Sequence, residues 1–363
     1  MSRVIRLALA GLRAFRRGVI TATMSSVAGD LIADSAWRRR RLLILCYHGV
    51  SLSDEHEWSD LYISPQQFED RLAMLRSSRA TILPLEDALI RLRSESLPQR
   101  AVALTFDDGA YDFYKVAYPM LTQFRMPATL YLTTWYCGQR VPVFNPAVSY
   151  LMWKGRGRSI RLPGSDVTIQ LPENQRDPRF TALHRRVLEF VHTQRVSADA
   201  QLDLLRDLSG RVGVDFDAFL DLRLLQIMDQ AEVRALDPAL IDVQLHTHRH
   251  RSPRQEPAFL RELEDNRRMI ASITGDARQR HHFCYPSGDY DSQQLDWLSR
   301  AQILSATTCD PGLASPAHNP FLLPRFIDTG AVPADVFRGW VHGVSALLSA
   351  SRSAVPRSNA GGR

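Results

Sequence analysis

Long apolar runs, paired cysteines and lysine are all scarce in this chain of 363 residues, and each scarcity excludes something. No segment reaches the roughly 18 apolar residues of a membrane span. The N-terminus also lacks the uninterrupted apolar core of roughly 7–15 residues that a secretory signal needs, because Leu7–Leu12 is flanked by Arg6 and Arg13. The expected location is the cytoplasm, with possible attachment to the inner face of the membrane. The four cysteines, Cys46, Cys137, Cys284 and Cys309, include no CxxC pair, which excludes a zinc ribbon and a thioredoxin-like motif. A disulfide framework is not expected at this size, and Cys46 and Cys284, inside strand-like runs, read as buried inert thiols. GxGxxG and Walker A patterns are absent.

One-sided charge is missing from most of the chain. Residues 1–41 hold nine Arg against Asp30 and Asp34, a net of +7, and the whole chain carries +6, so residues 42–363 sum to −1. A neutral body of that size excludes a basic groove for nucleic acid. The basic segment itself is amphipathic on a helix, with Val4, Ile5, Ala8, Leu12, Phe15 and Val19 on one side and Arg3, Arg6, Arg13, Arg16 and Arg17 on the other. Three readings stay open for it: packing on the domain, membrane-surface contact through residues 3–20, or a frayed tail. Its arginines also carry a compositional bias, since the chain has 43 Arg against Lys115 and Lys154 alone.

What is present reads as a globular protein, 45% hydrophobic and 23% charged. Seven β-rich runs, at 42–47, 101–106, 128–133, 241–246, 281–285, 304–308 and 322–327, alternate with helical periodicity at 65–77, 85–94, 112–124, 257–274, 292–301 and 333–349. Strands mostly followed by helices predict a parallel α/β architecture, and a single barrel over residues 42–350 fits the length better than two Rossmann halves. The stretch 139–235 breaks the alternation with a polar start and then helices near 180–195, 198–210 and 216–230, so it reads as a helical insertion. Residues 351–363 lack apolar periodicity and read as a disordered tail.

Chemistry concentrates at strand ends. Thr105-Phe106-Asp107-Asp108-Gly109 follows an apolar strand, and adjacent carboxylates on a strand point to opposite faces unless the chain turns there. Gly109 permits that turn, and a bound cation relieves the repulsion between the two carboxylates. His246-Thr247-His248-Arg249-His250 also follows a strand, and the spacing of His246 and His250 lets one turn aim both imidazoles at one ion, with Asp108 adding an oxygen. His248, His281, His282, His184 and His192 read as structural.

These residues carry a resemblance to the polysaccharide deacetylases, the NodB-homology or carbohydrate esterase family 4 domain. TFDDG is similar to that family's first motif, His246-Thr247-x-x-His250 to its second, and Phe283–Tyr290 to its third. The resemblance implies a distorted (β/α)7 barrel of the TIM-like kind, Asp107 as catalytic base, and Zn²⁺ or another divalent metal on Asp108, His246 and His250. Many members begin the third motif with an arginine that orients the base; Phe283 or Cys284 stands there, and Arg325 is the candidate replacement. The usual late Leu-x-His motif is also missing. Some branches resemble circular permutations that move that strand to the front, which makes His48 in Tyr47-His48-Gly49-Val50 the candidate general acid. Trp135, Tyr136 and Tyr285 are candidates for contact with sugar. The function so implied is removal of an N-acyl group, acetyl first, from an amino sugar in a polysaccharide or cell-envelope glycan. The alternatives are a deformylase or deacetylase of a lipid-linked sugar at the membrane, and a catalytically silent glycan-binding protein.

Overall fold

The structure, a computed structural model, describes residues 3–24, 27–162, 167–276 and 280–349. The tail expected at 351–363 lies outside them. The strand-like runs form β1 (Leu43–Tyr47), β2 (Ala101–Phe106), β3 (Ala128–Leu132), β4 (Ile241–Leu245), β5 (His282–Cys284), β6 (Ser305–Thr307) and β7 (Phe326–Ile327). They pair in parallel in the order β6-β5-β4-β3-β2-β1-β7, with Thr81–Ile82 added beside the start of β2. Leu323, just before β7, donates to the Ala306 carbonyl and accepts from Thr308, both at 3.0 Å, so the two ends of the sheet meet and the curl is that of a distorted barrel.

Strands β1, β2 and β3 are buried along their whole length on both faces, as parallel strands covered by helices must be. Alternation still divides the side chains. Ile44, Ala103 and Tyr131 share one apolar cluster with Leu85, Leu89 and Leu92 of the helix Leu85–Arg93, whereas Leu45, Leu104 and Leu130 pack with Phe68, Leu72, Phe259 and Leu263 from the outer helices Pro65–Ser77 and Glu256–Thr274. Register sets the functional end: Tyr47 lies opposite Phe106, Leu132 opposite Leu245, and Cys284 opposite Thr307. The residues that follow each of these therefore emerge at one rim, the C-terminal face where such barrels carry their chemistry.

Several expected elements differ. The helix expected over 112–124 opens as a π turn, Phe113–Ala117, before the α-helix Tyr118–Phe124. The insertion is not purely helical: besides helices Phe144–Lys154, Pro178–Thr193 and Ala198–Val212 it holds an antiparallel hairpin, Ser159–Arg161 with Thr168–Gln170. Alternating Ile160, Leu162, Ile169 and Leu171 carry that hairpin into a core shared with Leu151, Leu208 and Phe219. The helix expected over 216–230 stops at Asp221, because Arg223 and Leu225 adopt φ of 55°. The chain then runs as a strap over the rim, where Tyr111 donates to the Gln226 carbonyl (2.8 Å) and Met228 to that of Gly109 (3.0 Å).

The basic N-terminal segment forms the helix Arg3–Met24, then Val27–Ala33 and Ala36–Arg39. Part of its charge serves docking. Arg38 is fully buried and donates to the carbonyls of Val341 (3.2 Å) and Ala101 (3.1 Å), while Asp30 and Asp34 pair with Arg100 at 2.9 and 3.0 Å. Ile20 is buried against Gly339 of the helix Ala334–His342, and Arg17 and Thr21 bond to Asp335. Phe15, on another side of the same helix, is 70% exposed. Among the described residues no helix is long and apolar enough to cross a membrane.

Candidate active site

Asp107 leaves β2 with its N–H on the Tyr47 carbonyl (3.0 Å) and its side chain buried. Asp108 and Gly109 then adopt φ of 70° and 83°. This left-handed turn is what lets neighbouring carboxylates serve one rim, and at Gly109 a β-carbon would meet Leu132 Cδ1 at 2.2 Å. Thr247 and His250 are also at positive φ, 61° and 54°. Both loops expected to carry the chemistry therefore hold non-glycine residues in left-handed backbone.

Those loops converge. Asp108 Oδ1 lies 3.1 Å from Nε2 of both His246 and His250, whose rings are 4.9 Å apart. Nδ1 of His246 bonds to the Cys284 carbonyl at 2.8 Å, which fixes the ring with Nε2 facing Asp108. One oxygen and two imidazole nitrogens aimed at a common point match the donor set of a catalytic zinc site, so the residues fit the metal implied by the sequence. Burial alone would raise the Asp108 pKa, but the two histidines hold it well below the usual carboxylate range.

Arg325 reaches the other carboxylate from just before β7. Completely buried, its two terminal nitrogens donate to the two oxygens of Asp107 at 2.7 and 2.8 Å, a bidentate pair, and its Nε donates to the Thr308 carbonyl at 2.9 Å. Burial pushes the Asp107 pKa up, and the guanidinium outweighs it and keeps the carboxyl ionised far below its ordinary value. His48 Nε2 lies 3.8 Å from Asp107 Oδ2, on the same rim.

The substrate candidates divide. Trp135 is 44% exposed, meets His248 edge-on at 5.5 Å and carries the Arg249 guanidinium 4.9 Å from its ring centre. Tyr136 is half-buried against the core. Tyr285 corrects the expectation of sugar contact: it is fully buried between Phe283 and Tyr290, because the chain leaves β5 with this ring turned into the outer apolar layer.

His248 bonds to Thr134 Oγ1 at 2.8 Å, and buried His282 bonds to Ser305 Oγ at 2.8 Å, in keeping with structural roles. Sequence reasoning missed the supports of the histidine loop. Asn266 accepts from the His246 N–H (2.9 Å), and Glu262, one helical turn earlier, accepts from Arg249 N (2.7 Å). Their signal was present as two polar residues on the apolar face of Glu256–Thr274, among Phe259, Leu263 and Ile270. The thiols of Cys46 and Cys284, read as inert, both touch Asp107 Oδ2, at 3.5 and 3.4 Å.

Three comparisons bear on this arrangement. Over 114 residues the chain is 32% identical to the poly-β-1,6-N-acetyl-D-glucosamine N-deacetylase of Staphylococcus aureus, a match covering 28% of this chain and 39% of that relative's length. Among solved structures it resembles the Streptococcus pyogenes deacetylase PplD in complex with acetate (TM-score 0.52, 18% identity, 80% of this chain and 93% of that one). It also resembles IcaB from Ammonifex degensii (TM-score 0.51, 17% identity, 84% and 97%). At such identities these likenesses support the barrel and nothing finer. The polysaccharide deacetylase family model matches residues 94–162 and 189–305, from the approach to β2 as far as β6 and including both motif loops. With just over half of its length matched by that one model, the chain belongs to the polysaccharide deacetylase family.

Proposed function

We propose that this chain is a metal-dependent hydrolase that removes N-acetyl groups from amino sugars of a polysaccharide, cleaving a non-peptide carbon–nitrogen bond. The observation that carries the reading is the division of labour between adjacent carboxylates: Asp108 faces two histidines, whereas Asp107 faces an arginine. A divalent ion held by Asp108, His246 and His250 supplies Lewis-acid polarisation of the acyl carbonyl and of a water. Asp107, oriented by Arg325, accepts the proton of the attacking water at a carboxylate oxygen. His48, protonated, delivers a proton to the departing nitrogen, so that the C–N bond breaks to free amine and acetate. Trp135 offers its exposed ring to the sugar. The Staphylococcus aureus relative bears the name of a poly-β-1,6-N-acetyl-D-glucosamine N-deacetylase, which places N-acetylglucosamine polymers first among substrates to try.

The Asp107–Arg325 clamp argues against a silent glycan-binding protein, which has no use for a positioned base. A lipid-linked sugar remains the second reading, supported by the exposed Phe15 on the basic N-terminal helix. The deciding experiment loads the full chain with Zn²⁺ and measures acetate and formate release from poly-β-1,6-N-acetylglucosamine, chitooligosaccharides and N-formylated analogues. Acetate release supports the proposal, and its absence with every N-acetylated glycan at full metal loading refutes it. Cosedimentation with anionic liposomes, compared with a chain starting at Leu42, tests the membrane contact: equal binding by the two excludes attachment through the N-terminal helix.

A further inference from the structure

We infer that Cys46, His48 and Asp107 form a second, inhibitory site for a soft divalent cation such as Zn²⁺ or Cd²⁺, beside the Asp108, His246 and His250 trio. One thiol sulfur, one imidazole nitrogen and one carboxylate oxygen of these residues lie within 4.8 Å of one another. Cys46 Sγ is 3.5 Å from Asp107 Oδ2 and 3.9 Å from His48 Nδ1, and His48 Nε2 is 3.8 Å from Asp107 Oδ2. A tetrahedral zinc, with bonds of about 2.3 Å to sulfur and about 2.0–2.1 Å to nitrogen or oxygen, spaces its donors roughly 3.4–3.6 Å apart, so the His48 ring, which meets Cys46 and Asp107 through different nitrogens, must turn to offer one nitrogen to the ion, and water takes the fourth position. Thiolate with imidazole favours zinc-like ions over magnesium or calcium.

A competing trio, Asp107, His246 and Cys284, is less suited. Nδ1 of His246 is committed to the Cys284 carbonyl and its Nε2 to Asp108, and the Cys284 sulfur lies 3.1 Å from the Arg325 guanidinium. The His48 side chain is 19% exposed, which gives an ion a way in. Binding replaces the Cys46 S–H bond with a metal–sulfur bond and releases that proton to water. Buried thiolate and aspartate, with Arg325 alongside, leave the loaded site one charge above neutral.

The consequence for turnover rests on the roles proposed above for His48 and Asp107: a cation there occupies acid and base together, so excess metal stops an enzyme that needs one equivalent. The full chain, stripped of metal and titrated with Co²⁺, is expected to take up two equivalents, with a sulfur-to-cobalt charge-transfer band in the near ultraviolet. Cys46→Ser and Cys46→Ala should lack the band and stop at one equivalent, and His250→Ala should keep it. In acetate release, Cd²⁺ in excess over catalytic zinc should inhibit Cys46→Ser more weakly than the unsubstituted chain by at least about tenfold. The absence of any thiolate band, or a band lost in Cys284→Ser and kept in both Cys46 variants, overturns the inference. If no variant releases acetate, the catalytic reading fails, and band and stoichiometry still decide the site.

Discussion

Replacing Arg325 with methionine removes one partner of a fully buried ion pair and leaves Asp107 charged, or forces it to take up a proton. Breaking such a pair from one side costs about 3–5 kcal/mol, because the surviving charge has lost both water and counter-ion. For a chain of 363 residues the unfolding entropy is about 0.8 kcal/mol per kelvin, so the melting temperature should fall by roughly 4–6 °C. The pair Arg325→Met with Asp107→Asn removes both charges and should be more stable than Arg325→Met alone. Differential scanning calorimetry of the two single variants and the double variant completes the cycle. Activity responds through the same contact. Burial pushes the Asp107 pKa up and Arg325 holds it down, so without the guanidinium the acidic limb of kcat/KM should move to higher pH. Arg325→Lys, which keeps the charge and loses the two-pronged geometry, should lie between. Additive stability losses in the double variant, or an acidic limb that stays in place in Arg325→Met, would refute the assignment of Arg325 as the group that positions Asp107.

Gly109→Ala should lose about 1–2 kcal/mol for a β-carbon at positive φ and more for its clash with Leu132; urea melts and turnover together check this, and unchanged turnover would show that the Asp107–Asp108 turn tolerates distortion. His48→Gln should cut turnover by about 10²–10⁴-fold with the Asp108-trio equivalent of metal kept, as loss of a general acid does, measured by acetate release beside elemental analysis at one added equivalent of zinc. For His282, burial lowers the pKa to about 4 from 6.5, so the unfolded chain takes up a proton that the folded one refuses. Its contribution is complete above pH 6.5 and is lost as the pH falls toward 4, a span of about 3 kcal/mol. His282→Gln should flatten the urea midpoint across that window relative to the unsubstituted chain, and parallel curves would contradict it.

The barrel was legible because each parallel strand writes itself as a short, largely buried β-rich run; all seven runs formed, and β2 kept both expected bounds. The donor set was legible for the same reason, since TFDDG runs off the end of β2 and HTHRH begins where β4 stops. Arg325 was legible only in outline. Its side chain crosses from the segment before β7 to Asp107 just after β2, 218 residues away, and spacing along the sequence carries no information about that contact. The strap over 222–229 was misread as helix because two non-glycine residues there adopt left-handed backbone, which propensity does not anticipate. Tyr285 was misplaced for lack of one fact, the face to which the chain turns after β5. The thiols of Cys46 and Cys284 were placed correctly as buried, and their contact with Asp107 was not foreseen, since burial is a property of the strand and proximity to Asp107 a property of the closed sheet.

The central claim is that neighbouring carboxylates do different work, Asp108 with the two histidines holding the metal and Asp107 serving as base. Metal content and acetate release measured side by side on purified Asp107→Asn and His246→Ala test it most directly. Asp107→Asn should retain a full equivalent of zinc at the Asp108 trio and release no acetate, while His246→Ala should lose that equivalent and release none. Loss of the Asp108-trio zinc in both variants, or acetate release surviving in Asp107→Asn, would contradict the account.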